Sequence, residues 1–255
     1  MTAEPDFALD DLDPADLDSE QAESVLWAGD LYVLAEYHTT PHGSHSYFVA
    51  HDQSATWGAP GAPQLVAVKI ARNFSLGTFT LESACHAALP FAQSWLIERG
   101  CPPEKITVRD GDFMAAADDL TGRIEQKVRD GGQRYEVLET QTWDYDPCET
   151  WTLARDTLAA QDPIRVFLEQ GNPEAFTYTL REGAFPDEDT AQDWLDDRNS
   201  PLPGPPEDRN DAEGLRTRAA LTRSAGPVRG AACGLDRGPV PSTPAVRQQD
   251  PGRSR

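Results

Sequence analysis

The chain has 255 residues, enough to bury a hydrophobic core, and its 43 Asp and Glu against 22 Lys and Arg give a formal charge of −21. A surface of this sign repels phosphates and anionic lipid headgroups. The composition therefore argues against direct binding to nucleic acid or to a membrane and favours a protein partner with a basic surface. The alternative is that the charge serves solubility alone.

The expected compartment follows from what the sequence lacks. The acidic N-terminus has neither the basic nor the apolar region of a signal peptide, and no apolar run reaches the roughly 18 residues of a transmembrane helix. Four cysteines without a C-x-x-C pair are too few for a disulfide scaffold. We therefore expect a cytoplasmic protein with free thiols and no cofactor.

In the first third of the chain, helix-capping residues and the alternation of apolar with polar residues predict one helix and three strands. Residues 1–12 are acidic and are predicted to be disordered. Asp13 and Pro14 suit the start of a helix that Gly29 ends. Alternating apolar residues then predict strands at 31–38, 45–51 and 66–70.

Two helices are predicted in the middle of the chain. Residues 80–99 carry an apolar stripe of Leu81, Cys85, Ala88, Ala92 and Trp95. Pro90 must kink this helix or start a second one. A shorter helix at 118–129 places Leu120, Ile124 and Val128 on one face.

The next 50 residues predict an antiparallel meander of four strands, followed by a last helix. The strands are 134–144, 148–156, and two segments in which Ile164, Val166 and Leu168, and then Phe176, Tyr178 and Leu180, alternate with polar residues. This pattern is typical of strands with one buried and one solvent-facing side. The helix begins at residues 186–189, with Ala191, Trp194 and Leu195 as its apolar face.

These elements predict an α+β fold. We expect a largely antiparallel sheet of about seven strands with helices packed on one face, formed by a single domain at 13–198. Two similar halves, 13–100 and 116–198, are a second interpretation, although no residue-level repeat supports it. Residues 199–255 hold 9 Pro and 7 Gly, which predicts a disordered tail.

No motif for nucleotide hydrolysis, serine hydrolysis or a zinc protease is present. The most unusual feature is a cluster of histidines, in which His38, His42 and His45 flank a hairpin turn. Three imidazoles could hold zinc with one position left open. Their spacing matches no standard zinc signature, so we expect no metal and interpret them as an exposed hairpin tip.

The densest group of carboxylates lies at the turn WDYDPCE, where Asp144, Asp146 and Glu149 stand beside two tryptophans. Glycosidases use two carboxylates and aromatic platforms, so these three residues are candidate catalytic groups. Asp before Pro is also a standard turn initiator. Trp57, in a Gly/Pro-rich loop, is the candidate surface aromatic for binding.

Several longer segments carry a resemblance. The stretches SEQAESVLWAGDLYVLAEYHT, LPFAQSWLIERGCPPEKI and IRVFLEQ, with the acidic start and the Pro/Arg-rich tail, resemble a family of uncharacterised cytoplasmic proteins of high-GC Gram-positive bacteria. The resemblance covers roughly residues 8–220. Some members are labelled glycosyl hydrolase, but no catalytic motif can be carried over residue by residue.

The sequence thus leaves three hypotheses. The leading one is a non-catalytic, acidic intracellular binding or adaptor protein that recognises a basic protein partner. The second is a glycoside hydrolase that uses paired carboxylates. The third is a small metal-binding protein that uses the histidine hairpin.

Overall fold

The structure, a computed structural model, describes residues 7–39, 43–108, 111, 113–143 and 148–206. All of them belong to one compact unit, Met1–Asp211, and the second unit, Ala212–Arg255, lies outside the described residues. The predicted disorder of residues 1–6 and of the tail from residue 207 also falls outside them. In the part that is described, no helix has the length and apolar character needed to cross a membrane.

Within the described residues, ten strands and five helices follow one another in two similar series. The first comprises β1 (Asp13–Pro14), α1 (Leu17–Ala28), β2 (Leu31–His38), β3 (His45–Asp52), α2 (Ala55–Gly58), β4 (Leu65–Asn73), β5 (Thr78–His86) and α3 (Leu89–Glu98). The second comprises β6 (Ala115–Ala116), α4 (Asp119–Arg129), β7 (Tyr135–Trp143), β8 (Glu149–Asp156), β9 (Ile164–Asn172), β10 (Thr177–Phe185) and α5 (Glu188–Asp197).

The strands form two five-stranded sheets, in the orders β1-β5-β4-β3-β2 and β6-β10-β9-β8-β7. In each sheet the long strands form an antiparallel meander, and the two-residue first strand lies parallel to the last. The α+β class is confirmed. The prediction of one seven-stranded sheet is wrong, because α3 separates the two meanders and each half forms a sheet of its own.

The predicted helix at 80–99 is wrong over its first half. Thr78–His86 is a strand that pairs along its whole length with β4, so Phe79 and Leu81 lie in the core on one side of the sheet. The helix begins only at Leu89, with Pro90 in its first turn, where a missing N–H costs nothing. The apolar residues of a strand and of the helix that follows it together give the same spacing as the apolar face of one long helix.

The strand registers reveal a repeat between the two halves. Across β4–β5 and β9–β10 the equivalent residues are 99 positions apart, which aligns T-F-T-L (78–81) with T-Y-T-L (177–180). The same offset aligns A-Q-S-W-L-I-E-R (92–99) with A-Q-D-W-L-D-D-R (191–198). A residue-level repeat is therefore present, and the sequence analysis had missed it.

Equivalent residues also make equivalent interactions. Arg99 lies over the ring of Trp95, and Arg198 lies over the ring of Trp194. Asp16 and Asp118 cap α1 and α4, two positions that are 102 residues apart. One turn into these helices, the hydroxyls of Ser19 and Thr121 accept the backbone N–H of Leu81 and Leu180, each at 3.1 Å. The repeat thus includes the contacts that dock the first helix of each half on its sheet.

The two halves pack as five layers, in the order α1, first sheet, α3 with α4, second sheet, α5. Helix α3 is buried on two sides. Leu96 packs on the first sheet, whereas Phe91 makes edge contacts with the rings of Tyr135 and Phe167 on the second. The middle layer is therefore shared between the halves.

This packing buries the side of the second sheet that the alternation had assigned to solvent. Arg165 and Glu169 on β9 are only 1% and 8% exposed, because both face the α3–α4 layer. Arg165 lies 3.3 Å from a carboxylate oxygen of Asp156, which also binds Arg134 at 2.7 Å. Burial raises the pKa of Asp156, but the hydrogen bonds from Arg134 lower it overall.

Residues at both ends of the described part contribute to the cores. Phe7 is 2% exposed and packs edge-on against Phe48 of the first sheet. Leu202 packs on the α5 side of the second sheet, and the carbonyl of Pro203 accepts the N–H of Ala184 at 2.8 Å. A Cβ at Gly183 would overlap Leu202, so glycine is needed there.

We therefore expect the chain to tolerate truncation after residue 206 but not after residue 198. Removal of Leu202 and its neighbours uncovers the α5 core, which should cost about 2 kcal/mol. That corresponds to a fall in Tm of about 4–8 °C for a domain of this size. Thermal unfolding of chains ending at 198 and at 206 measures the difference, and equal midpoints would contradict it.

Candidate functional site

The carboxylates singled out from the sequence do not form a described pair. Asp144 and Asp146 lie outside the described residues. Glu149 is buried on β8, forms an ion pair with Arg198 and accepts a hydrogen bond from Gln170 at 3.0 Å. A guanidinium and an amide thus hold this carboxylate, which anchors the end of α5 to the sheet.

The two described histidines of the hairpin point away from each other. His38 pairs with Ser46 in the β2–β3 register, so it shares the face of Ser46, and its Nδ1 lies 2.7 Å from the Ser46 hydroxyl. His45 precedes Ser46 and therefore lies on the opposite face. His42 is outside the described residues, and among those that are described no three His, Cys, Asp or Glu could hold a metal ion.

Trp57 lies in the short helix α2 and is 77% exposed. The loop that follows contacts the edge of the second sheet, where the carbonyl of Gly61 accepts the N–H of Thr142 at 3.1 Å. Trp57 thus remains available to solvent, and its role in binding stays a prediction.

A cleft of about 420 Å³ opens between the halves, beside the shared middle layer. Phe113, Met114 and Phe176 form its apolar wall. The first turns of α3, one side of α4 and the start of β10 contribute further lining residues, among them Leu89, Pro90, Gln93, Glu125, Gln126, Arg129 and Tyr178. A second cavity of about 400 Å³ shares the apolar wall and extends toward Tyr32 and His51 of the first sheet. The apolar wall therefore borders both recesses.

Phe176 is held in a conformation that a side chain disfavours. Its φ is +51°, whereas the equivalent turn residue of the first half is Gly77, with φ +64°. A left-handed backbone costs a residue with a Cβ about 1–2 kcal/mol. Phe176 is also 49% exposed, so burial returns only part of that cost. A strained aromatic at the mouth of a cleft indicates a binding role.

A hydrogen-bonded pair, Tyr178 and Glu125, lies on the polar side of the cleft. The hydroxyl of Tyr178 donates a hydrogen bond to the carboxylate of Glu125 on α4. Burial, together with this hydrogen bond and the charge of Glu169, raises the pKa of Tyr178. The phenol therefore stays protonated and remains a hydrogen-bond donor. It fixes the position of one Glu125 oxygen, and a ligand in the cleft can contact the other oxygen.

Glu169 lies behind this pair with little contact to water. It stands opposite Leu180 in the β9–β10 ladder, on the side of the sheet that α4 covers, and its Oε2 has no hydrogen-bond partner within the described part of the chain. Burial and the negative charge of Glu125 raise the pKa of Glu169 to about 8. The group is thus a neutral acid at pH 7.

The first half shows that the fold does not require these polar residues. The positions equivalent to Glu169 and Tyr178 hold Ile70 and Phe79, both in the apolar core beneath α1. The equivalent of Glu125 is Glu23, which receives a hydrogen bond from the indole of Trp27. The second half therefore has an acid and a phenol at positions where the first half, with the same architecture, has the apolar side chains of Ile70 and Phe79.

Sequence reasoning missed Glu125, Glu169 and Tyr178 as site residues. Each fits an ordinary pattern, because an acid on a helix or on the polar side of a strand is common. The available signal was the comparison at an offset of 99 residues, which sets Glu169 against Ile70 and Tyr178 against Phe79.

We expect Glu169 to lower the free energy of unfolding as the pH rises from about 4.5 to 8, because the native state keeps the Glu169 proton over this range. The native state holds this proton while the unfolded chain has lost it, so unfolding becomes easier by up to about 1.4 kcal/mol per pH unit. Glu169→Gln should remove this part of the pH dependence. Denaturant unfolding at pH 5.5, 7 and 8.5 measures it.

Glu174→Gln provides the control, because Glu174 is exposed in the β9–β10 turn. Its free energy of unfolding should follow that of the unmodified protein at each pH. If Glu169→Gln and Glu174→Gln change the pH dependence equally, Glu169 does not hold a proton in the native state.

Comparison of the chain with protein-family models, with curated proteins and with solved structures finds no match in any of the three. The comparison with most bearing on the cleft is therefore the one between the two halves of the chain. Three departures from the repeat lie close together: Phe176 and Tyr178 line the cleft, and Glu169 lies behind Tyr178.

Proposed function

We propose that this protein is a non-catalytic binding protein that recognises a basic partner protein and accepts one of its basic side chains in the cleft between the halves. The observation that carries the proposal is the carboxylate of Glu125, oriented by Tyr178 beside the apolar wall of Phe113, Met114 and Phe176. A long basic side chain has the matching form, with an apolar stem and a charged end.

The charge of the whole chain supports a cationic ligand over an anionic one. Residues 25–198 contain 28 acids and 13 bases, so the described body is surrounded by negative potential. Such a field speeds the encounter with a basic surface and slows the encounter with an acidic one. Arg129 at the side of the cleft contacts Gln126 and lies 3.9 Å from Asp130, so its charge is partly balanced.

The alternative function, a glycoside hydrolase, would require two carboxylates that reach one substrate. Glu125 and Glu169 supply two carboxyl groups, and burial raises the pKa of Glu169 to about 8, which suits a general acid. Glu125 lines the cleft, whereas Glu169 does not line it and is nearly excluded from solvent. An acid in that position cannot protonate a glycosidic oxygen in the cleft, so its geometry favours binding.

We expect Glu125→Gln to weaken the binding of Nα-acetyl-arginine methylamide by about tenfold or more, because a hydrogen bond to a charged group contributes about 1.5–3 kcal/mol. Glu23→Gln removes the same charge at the equivalent position of the first half, outside the cleft, and should change affinity by less than about twofold. Calorimetric or NMR titration gives both values. Equal losses would show that only the overall charge matters and would contradict a site at the cleft.

We expect Phe176→Gly to separate binding from stability. Glycine relieves the left-handed strain, so the free energy of unfolding should stay constant or rise by about 1 kcal/mol. Binding of the same arginine derivative should weaken, because the cleft loses part of its apolar wall. Denaturant unfolding and titration of this one variant give the two results, and unchanged affinity would exclude Phe176 from the site.

A further inference from the structure

We propose that Glu169, which lies behind the cleft without lining it, is coupled to the cation site through its neighbour Glu125, and that it releases its proton to solvent when a basic group binds Glu125. The inference rests on the proposed function and adds to it a ligand class, guanidinium or ammonium, and a coupled reaction. In that reaction the bound cation enters, the O–H bond of the Glu169 carboxylic acid breaks, and the proton leaves to water. The carboxylate that remains is then stabilised by the positive charge bound at Glu125, which no longer repels it.

The sheet register brings Glu169 close to the other site residues. Glu169 is opposite Leu180. Tyr178 lies two residues before Leu180 in β10, on the same side of the sheet, which makes it a diagonal neighbour of Glu169. Helix α4 is fixed above these strands where Thr121 accepts the N–H of Leu180. Glu125, one turn later on α4, then meets the hydroxyl of Tyr178. Both carboxylates are therefore next to one phenol.

The second observation is the unpaired oxygen of Glu169. Its Oε2 is buried and has no hydrogen-bond partner among the described residues, although buried polar atoms in proteins are normally paired. Thr150 is its neighbour on β8, and the hydroxyl of Thr152 on the same face is also unpaired. Ile70 at the equivalent position shows that a hydrocarbon fits the fold. A buried acid without a hydrogen-bond partner responds strongly to the charge of its neighbours, Glu125 first among them.

The other charges around Glu169 are already engaged with one another. The ionisable groups on the same side of the elements packed there are Glu125, Lys127 and Arg129 on α4, Arg165 on β9, Tyr178 and Glu182 on β10, and Asp156 on β8. Lys127 binds Glu182 at 2.7 Å, and Arg165 lies near both Glu182 and Asp156. Glu125 is the negative neighbour that disfavours ionisation of Glu169. An added cation reverses this balance.

The coupling predicts a characteristic pH dependence. Binding favours the ionised form of Glu169, so the association constant should rise about tenfold per pH unit below the pKa of about 8 and level off above it. A guanidinium keeps its charge over this whole range, so the change belongs to the protein. The direction is opposite to that of a ligand that binds the neutral acid.

Calorimetric titration of the full chain with Nα-acetyl-arginine methylamide tests the inference. Each titration is done in two buffers of different ionisation enthalpy, which gives the number of protons released. We expect about one proton per bound probe at pH 6.5 and about 0.1 at pH 9. The neutral citrulline derivative is the control ligand and should release none.

Two variants complete the design. Glu169→Gln keeps the shape, and Glu169→Ile restores the residue of the first half, so at least one fold-competent variant is available. Both should bind the arginine derivative at least about tenfold more weakly at pH 9 and release no proton at pH 6.5. Unchanged proton release in these variants would overturn the inference alone. The absence of any binding by the unmodified protein would overturn the proposed function and the inference with it.

Discussion

The architecture depends on the burial of helix α3 on two sides. At the equivalent positions of the repeat, α5 begins with Glu188, Asp189 and Thr190, whereas α3 begins with Leu89, Pro90 and Phe91, all buried. A helix that is apolar on two sides is not stable as an outer layer exposed to solvent, so it must lie between two sheets. The second sheet supplies that cover, and the cleft opens where the cover is incomplete.

The sequence predicts the elements of this fold better than their assembly. Alternation located the meander of β7 to β10, but it could not show that α3 and α4 bury the polar side of those strands. Glu169 therefore resembled a solvent-facing residue, although burial of its carboxyl is its main property. The repeat escaped notice because it is 99 residues long and keeps few identities, such as Trp95 with Trp194. Strand register, which the sequence alone does not show, was needed to align the halves.

The two halves separate what the fold needs from what the site needs. Contacts that stabilise each half recur in both, including the helix caps Asp16 and Asp118 and the stacked arginines at 99 and 198. The residues that cost stability occur in one half only. Phe176 has a strained backbone where Gly77 is relaxed. Glu169, where Ile70 packs in the first half, has one carboxyl oxygen without a hydrogen-bond partner among the described residues. Sites that bind ligands commonly carry such costs, because selection for function tolerates them.

A neutral buried acid suits recognition by a protein with so many negative charges. The field of the surrounding carboxylates, Glu125 first among them, opposes ionisation of Glu169 as long as the cleft holds only water. A neutral or anionic ligand does not favour ionisation of Glu169, and its contacts in the cleft are the apolar wall and the carboxylate of Glu125. In the proposed function, only a cation bound at Glu125 favours ionisation of Glu169, so discrimination arises from a change of protonation as well as from shape. Under the same proposal, the acidity of the body attracts basic partners and the cleft selects among them.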